Sequence, residues 1–185
     1  MRKLVLIDMD EVLVEFVRPW MLEYRPTLPY AAFLLDDWKG ARNVQDRLGM
    51  PQDEWWALCS ALTVEWWADL PWTTWGRDLL DLVEGFGVEW ALLSAPGLCP
   101  NSATGKVLWV EKNLGDQSKL ILANRKELLA RPGVLLIDDM HHNVDRFRAN
   151  GGQATLVPQP WNDETRDPLE CVRVALWQLM EAPCG

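Results

Sequence analysis

Short apolar runs and longer segments with helical spacing follow one another along much of the chain. Five runs have the length and the apolar or β-branched content of strands, at residues 4–7, 88–93, 119–123, 134–137 and 154–157. Such runs are typical of strands that are covered on both faces of a parallel sheet. Helical patterns separate or follow the later runs, at residues 106–114, 143–149 and 168–180. We therefore predict an α/β fold, a Rossmann-like parallel sheet flanked by helices.

Residues 17–70 interrupt this alternation, because they separate the first strand from the next α/β unit, which begins near Gly76. Proline and acidic residues at 50–54 are typical of a helix start. The apolar residues that follow share one helical face, namely Trp55, Leu58, Cys59, Leu62 and Trp66. Two shorter helices are predicted before them, at 18–23 and 30–35. The sequence thus predicts a core of residues 1–16 and 71–185, with a small helical domain of residues 17–70 inserted after the first strand.

Acidic side chains follow two of the predicted buried strands. Asp8 and Asp10 come directly after the first run, and Asp138 and Asp139 follow the run at 134–137. An unpaired carboxylate is costly to bury, and two adjacent aspartates repel each other. The carboxyl ends of parallel strands meet at one edge of an open α/β sheet, where ligands bind. Because Mg²⁺ prefers oxygen ligands and keeps waters that a phosphate can share, we predict a Mg²⁺ site at these four residues.

Two further polar residues stand in positions suited to binding a phosphate. Ser94 follows the run at 88–93, and its hydroxyl can donate one hydrogen bond to a phosphoryl oxygen. Lys106 begins the helical pattern that Gly115 ends, although a cation at a helix start opposes the helix dipole. A phosphate bound nearby would account for that lysine. Taken singly, Ser94 is typical of a turn and Lys106 of a solvated surface, so the interpretation depends on their combination with the acids.

The order of these polar features resembles the four motifs of the haloacid dehalogenase (HAD)-like phosphatases, which are Asp-x-Asp, Ser/Thr, Lys and Asp-Asp. Three segments resemble the 5'(3')-deoxyribonucleotidase family in particular, namely 8–16, 106–115 and 135–139. The chain departs from that family at Glu11, where glycine is usual, and at Ala95 and Met140, where a second hydroxyl and an arginine are common. Residues 124–126 match only part of a Thr-Arg-Asp-Lys-like stretch.

The resemblance implies a Mg²⁺-dependent phosphatase that acts through an aspartyl-phosphate. Asp8 would be the nucleophile, and Asp10 would protonate the leaving alcohol and then deprotonate water. Ser94 and Lys106 would hold phosphoryl oxygens. The metal ligands would be Asp8, the backbone carbonyl of Asp10, Asp138 and Asp139. Which of the last two ligates directly stays open. The resemblance also implies that the insertion is a cap, which closes over the substrate and excludes water.

Aromatic residues are the candidates for binding a nucleobase. Phe16 lies eight residues after Asp8, where the resembled family places an aromatic ring that stacks on the base. Eight of the 12 tryptophans fall between Trp20 and Trp75, and packing of a small helical domain is the simpler account of any one of them. The weaker candidates for a base-stacking wall are Trp20, Trp38, Trp66 and Trp67.

Composition limits the expected partners and location. The net charge of −9 argues against a nucleic-acid polymer, because basic patches supply most of the affinity for its backbone. We expect no signal peptide, since only four apolar residues follow the first three, and no apolar stretch approaches membrane-spanning length. The four widely spaced cysteines indicate reduced thiols and a cytoplasmic protein. The expected partner is a small phosphate ester such as a nucleotide. The sequence leaves open whether the chain forms a homodimer.

Three other functions share part of this pattern. A signalling receiver domain also forms an aspartyl-phosphate, but its acceptor follows a later strand and it carries no insertion of this size. A non-catalytic binding module is expected to have lost one of the four motifs, and none is missing. A phosphatase of another metabolite, such as a sugar phosphate, shares every catalytic residue and differs only in the insertion. The sequence therefore predicts a nucleotidase-like phosphoric monoester hydrolase, with that phosphatase as the alternative.

Overall fold

A five-stranded sheet forms the centre of the computed structural model, which describes residues 2–35, 38 and 41–182. The strands are β1 (Leu4–Ile7), β2 (Glu89–Ser94), β3 (Leu120–Leu122), β4 (Val134–Asp138) and β5 (Gln153–Leu156). Their order is β3-β2-β1-β4-β5, and each neighbouring pair is parallel. The predicted α/β fold is confirmed. Because β1 is central, its carboxyl end meets those of β2 and β4 at one edge of the sheet.

Helices surround the sheet and fill the segment between its first two strands. Within the described ranges they are α1 (Val17–Tyr24), α2 (Tyr30–Leu35), α3 (Val44–Leu48), α4 (Gln52–Ala61), α5 (Val64–Ala68), α6 (Gly76–Gly85), α7 (Pro100–Leu114), α8 (His141–Ala149) and α9 (Pro168–Glu181). Two 3-10 turns, Gln117–Lys119 and Lys126–Leu129, flank β3. Helices α1 to α5 lie within the segment predicted as an insertion, although α3 was not predicted. The boundary of a separate cap at residue 70 stays a prediction.

The central strand is buried on both of its faces. Val5 and Ile7 share a cluster with Leu79 of α6, whereas Leu6 belongs to a second cluster with Phe147 of α8. Complete burial of one such aliphatic side chain contributes roughly 1.5–3 kcal/mol to folding. This packing fixes β1 and therefore the position of the acids that follow it.

The apolar residues from Trp55 to Trp66, whose spacing predicted one helix, lie on two helices, α4 and α5, and on the residues between them. The backbone of Leu62 is extended, so α4 ends before it. The side chain of Thr63 then accepts the N–H of Trp66 at 3.1 Å and caps the start of α5. Threonine is a preferred residue at such a cap. The prediction of one continuous helical face across Leu62 and Trp66 is therefore wrong.

Helix α7 begins at Pro100, so Lys106 lies well inside the helix. The expectation that Lys106 begins this helix is wrong. Proline is well suited to the first position of a helix, because it lacks the N–H that would be unpaired there. The residues from Pro100 to Gly105 carry little apolar periodicity, and for that reason the hydrophobic pattern placed the start too late.

Helices α5 and α7 approach each other closely at Gly105. A Cβ atom at this position would lie 2.2 Å from the Cβ of Trp67 and 2.8 Å from the carbonyl oxygen of Val64. Glycine is therefore needed for this contact. The neighbouring Lys106 lies beside the same tryptophan, with Nζ 5.8 Å from the centre of its ring.

The helices and the cysteines bear on the expected absence of a membrane span and of disulfides. None of the helices in the described ranges combines the length and the apolar character that crossing a bilayer requires. Cys59, Cys99 and Cys171 are buried free thiols, and Cys184 lies outside the described residues.

Candidate active site

Three of the predicted metal ligands converge at the carboxyl edge of the sheet. Asp8 directly follows β1, Asp138 is the last residue of β4, and Asp139 comes next. One carboxylate oxygen from each of the three lies within 4.8 Å of the others. All three side chains are buried. The carboxylate of Asp10 is not part of this cluster, and ligation by its backbone carbonyl stays a prediction.

The other predicted polar residues form a second group beside the first. Nζ of Lys106 lies 2.5 Å from Oδ2 of Asp10 and donates to Oγ of Ser94 at 2.7 Å. It also donates to the carbonyl oxygen of Ala95 at 3.4 Å. The lysine is 1% exposed, whereas the Asp10 side chain is 30% exposed. The structure therefore brings the candidate acid–base residue and both candidate phosphate-binding residues into direct contact.

Lys126 is a residue of the site that the sequence analysis did not single out. Its Nζ lies 2.7 Å from Oδ1 of Asp8 and 2.7 Å from Oδ2 of Asp138, so it bridges two of the clustered carboxylates. Burial alone would lower the pKa of Lys126, but these carboxylates outweigh burial and raise it. The only sequence signal was the partial match of residues 124–126 to a Thr-Arg-Asp-Lys-like stretch. A lone lysine in a 3-10 turn carries no other local mark.

The carboxylate cluster has more negative charge than Lys126 can balance. Burial, reinforced by Asp138 and Asp10, raises the pKa of Asp8 to about 6, even though Lys126 acts in the opposite direction. Burial, then Asp138 and Asp8, raise the pKa of Asp139 well above its ordinary value of 3.8. A divalent cation would relieve this repulsion, and carboxylate oxygens are the ligands that Mg²⁺ prefers. The residues of the cluster therefore fit a hard divalent metal.

Asp138 and Asp139 have different hydrogen-bond partners. Both oxygens of Asp138 accept hydrogen bonds from the side-chain amide of Asn143, at 3.0 and 3.1 Å, and Oδ1 also accepts the N–H of Met140 at 2.9 Å. Oδ2 of Asp139 accepts the indole N–H of Trp161 at 2.8 Å. Asp138 is thus tied to its own strand end and to α8, whereas the side chain of Asp139 is tied to the loop that follows β5.

Two neighbouring cavities open onto these groups. The larger has a volume of about 360 Å³ and is bordered by Asp8, Asp10, Lys126 and Asp139 below and by α1, α3 and α4 above. The smaller, of about 160 Å³, lies beside Asp10. Three aromatic side chains line both cavities, namely Trp55 and Trp56 of the insertion and Phe16, which directly precedes it. A substrate in the larger cavity would therefore contact the carboxylates and the aromatic wall together.

Phe16 lies in this wall, although other rings partly cover it. It stacks on Trp67 at 5.2 Å with an angle of 12° between the ring planes, and the edges of Trp55 and Trp66 lie about 6 Å away. Of the weaker base-stacking candidates, Trp67 lines the smaller cavity, whereas Trp20, Trp38 and Trp66 line neither of the two. Trp55 and Trp56 also form this wall, which could not be predicted because helical spacing does not reveal which rings face a cavity.

Glu11 occupies the position where the resembled family usually has glycine, and its backbone conformation explains that preference. Its φ is +60°, a value that residues other than glycine rarely adopt. Its buried carboxylate accepts the N–H groups of Phe16 and Val17 at 2.8 and 2.6 Å, where α1 begins. Burial raises the pKa of Glu11 to about 7, against the effect of these two bonds. The side chain thus anchors the start of the insertion next to Asp10.

Comparison with known proteins identifies the family of the chain and solved structures with a similar fold. A sequence model of the family described as "5' nucleotidase, deoxy (Pyrimidine), cytosolic type C protein" matches residues 2–182. No curated protein matches the chain significantly. A haloacid dehalogenase-like family hydrolase from Xanthomonas campestris has a similar structure, with a TM-score of 0.57 and 12% identity over 98% of this chain and 99% of that one.

Two further solved structures share the fold. The HAD-hydrolase YfnB from Bacillus subtilis has a TM-score of 0.55 and 10% identity, over 98% of this chain and 99% of that one. A HAD-superfamily hydrolase from Ehrlichia chaffeensis has a TM-score of 0.51 and 11% identity, over 98% of this chain and 100% of that one. These likenesses bear on the fold, whereas the family match covers nearly every described residue. The protein is thus a phosphoric monoester hydrolase with a HAD-like fold, and it belongs to the cytosolic type C 5'-nucleotidase family.

Proposed function

We propose that the protein is a Mg²⁺-dependent phosphatase that hydrolyses (deoxy)nucleoside monophosphates through an aspartyl-phosphate on Asp8. The observation that carries this proposal is the position of Asp8. It lies at the floor of the larger cavity, next to Asp138 and Asp139, and Lys126 holds one of its oxygens. A substrate phosphate that entered the cavity would therefore meet a carboxylate nucleophile with a cation at its side.

The residues around Asp8 account for both halves of the reaction. Asp8 attacks phosphorus and displaces the alcohol, which takes a proton from Asp10. Asp10 then removes a proton from the water that attacks the aspartyl-phosphate, and phosphate leaves as Asp8 is regenerated. Lys106 contacts Asp10 and Ser94, and we propose that both help to hold the phosphoryl oxygens of a substrate at Asp10, although only Asp10 of the three lines the cavities. Positioning and charge compensation of this kind supply most of the catalysis of phosphoryl transfer.

The proposed metal ligands are Asp8, Asp138, Asp139 and the backbone carbonyl of Asp10. A bound Mg²⁺ would offset the charge of the carboxylates and of the phosphate. The hydrolase YfnB, which shares the fold, is described as bound to magnesium. Its similarity and the oxygen-only donor set both support the choice of this metal over Zn²⁺, which favours nitrogen and sulfur ligands.

A nucleotide is the proposed substrate because of the wall opposite the carboxylates. The larger cavity, of about 360 Å³, falls in the range of small-molecule sites. Its aromatic lining suits a nucleobase, since stacking on aromatic faces needs no fixed hydrogen-bond pattern. The family match supports the same substrate class. For such a metabolite enzyme we propose a cytoplasmic location, in keeping with the cytosolic type of the family.

A phosphatase screen tests this proposal directly. Purified protein would be assayed on deoxynucleoside, ribonucleoside and sugar monophosphates, with Mg²⁺, with EDTA, and with Mg²⁺ restored after chelation. We expect the deoxynucleoside monophosphates to be hydrolysed best, with activity lost in EDTA and recovered with Mg²⁺. A clear preference for a sugar phosphate would contradict the proposed substrate. Activity that survives EDTA, or requires Zn²⁺, would contradict the proposed metal site.

A Phe16→Ala variant should lose catalytic efficiency on nucleotides but not on p-nitrophenyl phosphate. Base stacking contributes roughly 1–3 kcal/mol, which corresponds to about a five- to hundredfold loss in kcat/KM. The small aryl phosphate cannot fill the base site, so its turnover should change little. Phe86→Ala is a matched control, because this ring packs against Trp177 on α9 and lines neither cavity at the site. Equal losses on both substrates would mean that Phe16 supports packing only.

A further inference from the structure

We propose that Trp161 is a positioning residue that orients the metal-binding carboxylate of Asp139 and connects it to the insertion through Trp38. This inference rests on the proposed metal site. It concerns a residue that belongs to none of the four sequence motifs, on the loop between β5 and α9.

The first observation is that Asp139 depends on Trp161 for its hydrogen bonding. Its carboxylate is 3% exposed and accepts the indole N–H at 2.8 Å. Asp8 and Asp138 share Lys126, but Asp139 has no ion pair and no other side-chain hydrogen bond within the part of the chain that the structure describes. A buried carboxylate without a donor is unfavourable. Trp161 is therefore the group that fixes the direction of this side chain.

The second observation is that the residue after Trp161 holds the backbone of the same aspartate. The side-chain amide of Asn162 donates to the carbonyl oxygen of Asp139 at 2.8 Å and to that of Val157 at 2.9 Å. The side-chain oxygen of Asn162 accepts the N–H of Glu164 at 3.1 Å and thereby braces the loop. Two consecutive residues of one loop thus hold Asp139 at its carboxylate and at its main chain.

The third observation is a line of aromatic contacts from Asp139 to the insertion. The ring of Trp161 packs on Trp38, with 5.4 Å between the ring centres. Trp38 in turn packs edge-on against Phe33 of α2 at 5.0 Å, and its indole N–H donates to the carbonyl oxygen of Phe33 at 3.2 Å. Trp161 also lines the larger cavity. Three packed rings therefore connect the Asp139 carboxylate to α2.

Removal of the indole donor while an aromatic ring is kept tests this role. In a Trp161→Phe variant we expect the Kd for Mg²⁺, measured by isothermal titration calorimetry without substrate, to rise about 10- to 100-fold. Trp177→Phe is the matched control. This tryptophan is 57% exposed on α9, and its removal should leave the Kd unchanged. A Trp161→Phe variant that binds Mg²⁺ as tightly as wild type does would overturn the inference while leaving the proposed function intact. Absence of Mg²⁺ binding to the wild type would overturn both.

A second pair of variants covers the case in which Trp161→Phe does not fold. If the unpaired Asp139 carboxylate is the cause, the double variant Trp161→Phe/Asp139→Ala should recover a cooperative thermal transition, because no buried carboxylate then lacks its donor. If the double variant stays unfolded while Asp139→Ala alone folds, Trp161 contributes packing and nothing more. That result would overturn the inference.

Discussion

The Asp8→Asn variant should lose more than about a hundredfold of the phosphatase activity, because loss of a covalent nucleophile removes the reaction path itself. The amide keeps the shape of the side chain and can still accept the hydrogen bond from Lys126. Steady-state hydrolysis of a deoxynucleoside monophosphate is the measurement. Asp69→Asn is a suitable control, since Asp69 forms an exposed ion pair with Lys112 and should leave turnover unchanged. Residual activity above about a hundredth of the wild-type value would contradict the assignment of Asp8.

The same variant should not be less stable than the wild type when metal is absent. Burial, reinforced by Asp138 and Asp10 and opposed by Lys126, raises the pKa of Asp8 to about 6. Above that pH the wild-type protein holds a charge that folding disfavours, and asparagine removes it. We expect an equal or higher Tm in EDTA at pH 8. A clearly lower Tm would mean that Asp8 is needed for packing, so that lost turnover could not be assigned to chemistry.

A Lys126→Met variant should show the second large effect, on stability as well as on turnover. Methionine fills much of the space but leaves Asp8 and Asp138 buried without their cation, and breaking a buried pair in this way costs about 3–5 kcal/mol. Loss of a group that contacts the nucleophile should lower kcat by about 10²–10³-fold. Urea unfolding and steady-state kinetics measure the two effects.

Added Mg²⁺ should restore part of the stability of this variant, because the ion binds the folded carboxylates and stabilises the folded state by mass action. Lys112→Met is the control, since Lys112 is exposed and its pairing with Asp69 contributes little. Lys126 would have no part in holding the carboxylates if its variant matched the Lys112 variant in stability with and without Mg²⁺.

The fold could be predicted from local pattern, and so could the acids at the sheet edge. β1 and β4 are uninterrupted apolar runs, and the carboxyl ends of neighbouring parallel strands necessarily meet. Asp8 and Asp139 could therefore be expected near one another without knowledge of any contact. The break between α4 and α5 was missed, because the cap formed by Thr63 preserves the helical spacing of apolar residues on either side.

The groups that support the acids could not be predicted in the same way. Lys126 reaches Asp8 and Asp138 from a turn after an edge strand, and Trp161 reaches Asp139 from a loop after another. Both contacts depend on three-dimensional packing that no periodicity records. Lys106 lies inside α7 and does not begin it, yet its side chain contacts Asp10 because α7 passes close to the turn after β1.

The contact between α5 and Gly105 has a mechanical consequence. Because Gly105 itself places no side chain against the Cβ of Trp67 and the backbone of Val64, we expect a displacement of α5 to disturb the part of α7 that bears Lys106 and its pairing with Asp10. If the insertion moves to admit substrate, we therefore expect α5 to stay with α7 and the movement to involve the helices before Thr63. Although α5 stands at the end of the predicted insertion, its close contact at Gly105 joins it to α7 of the core.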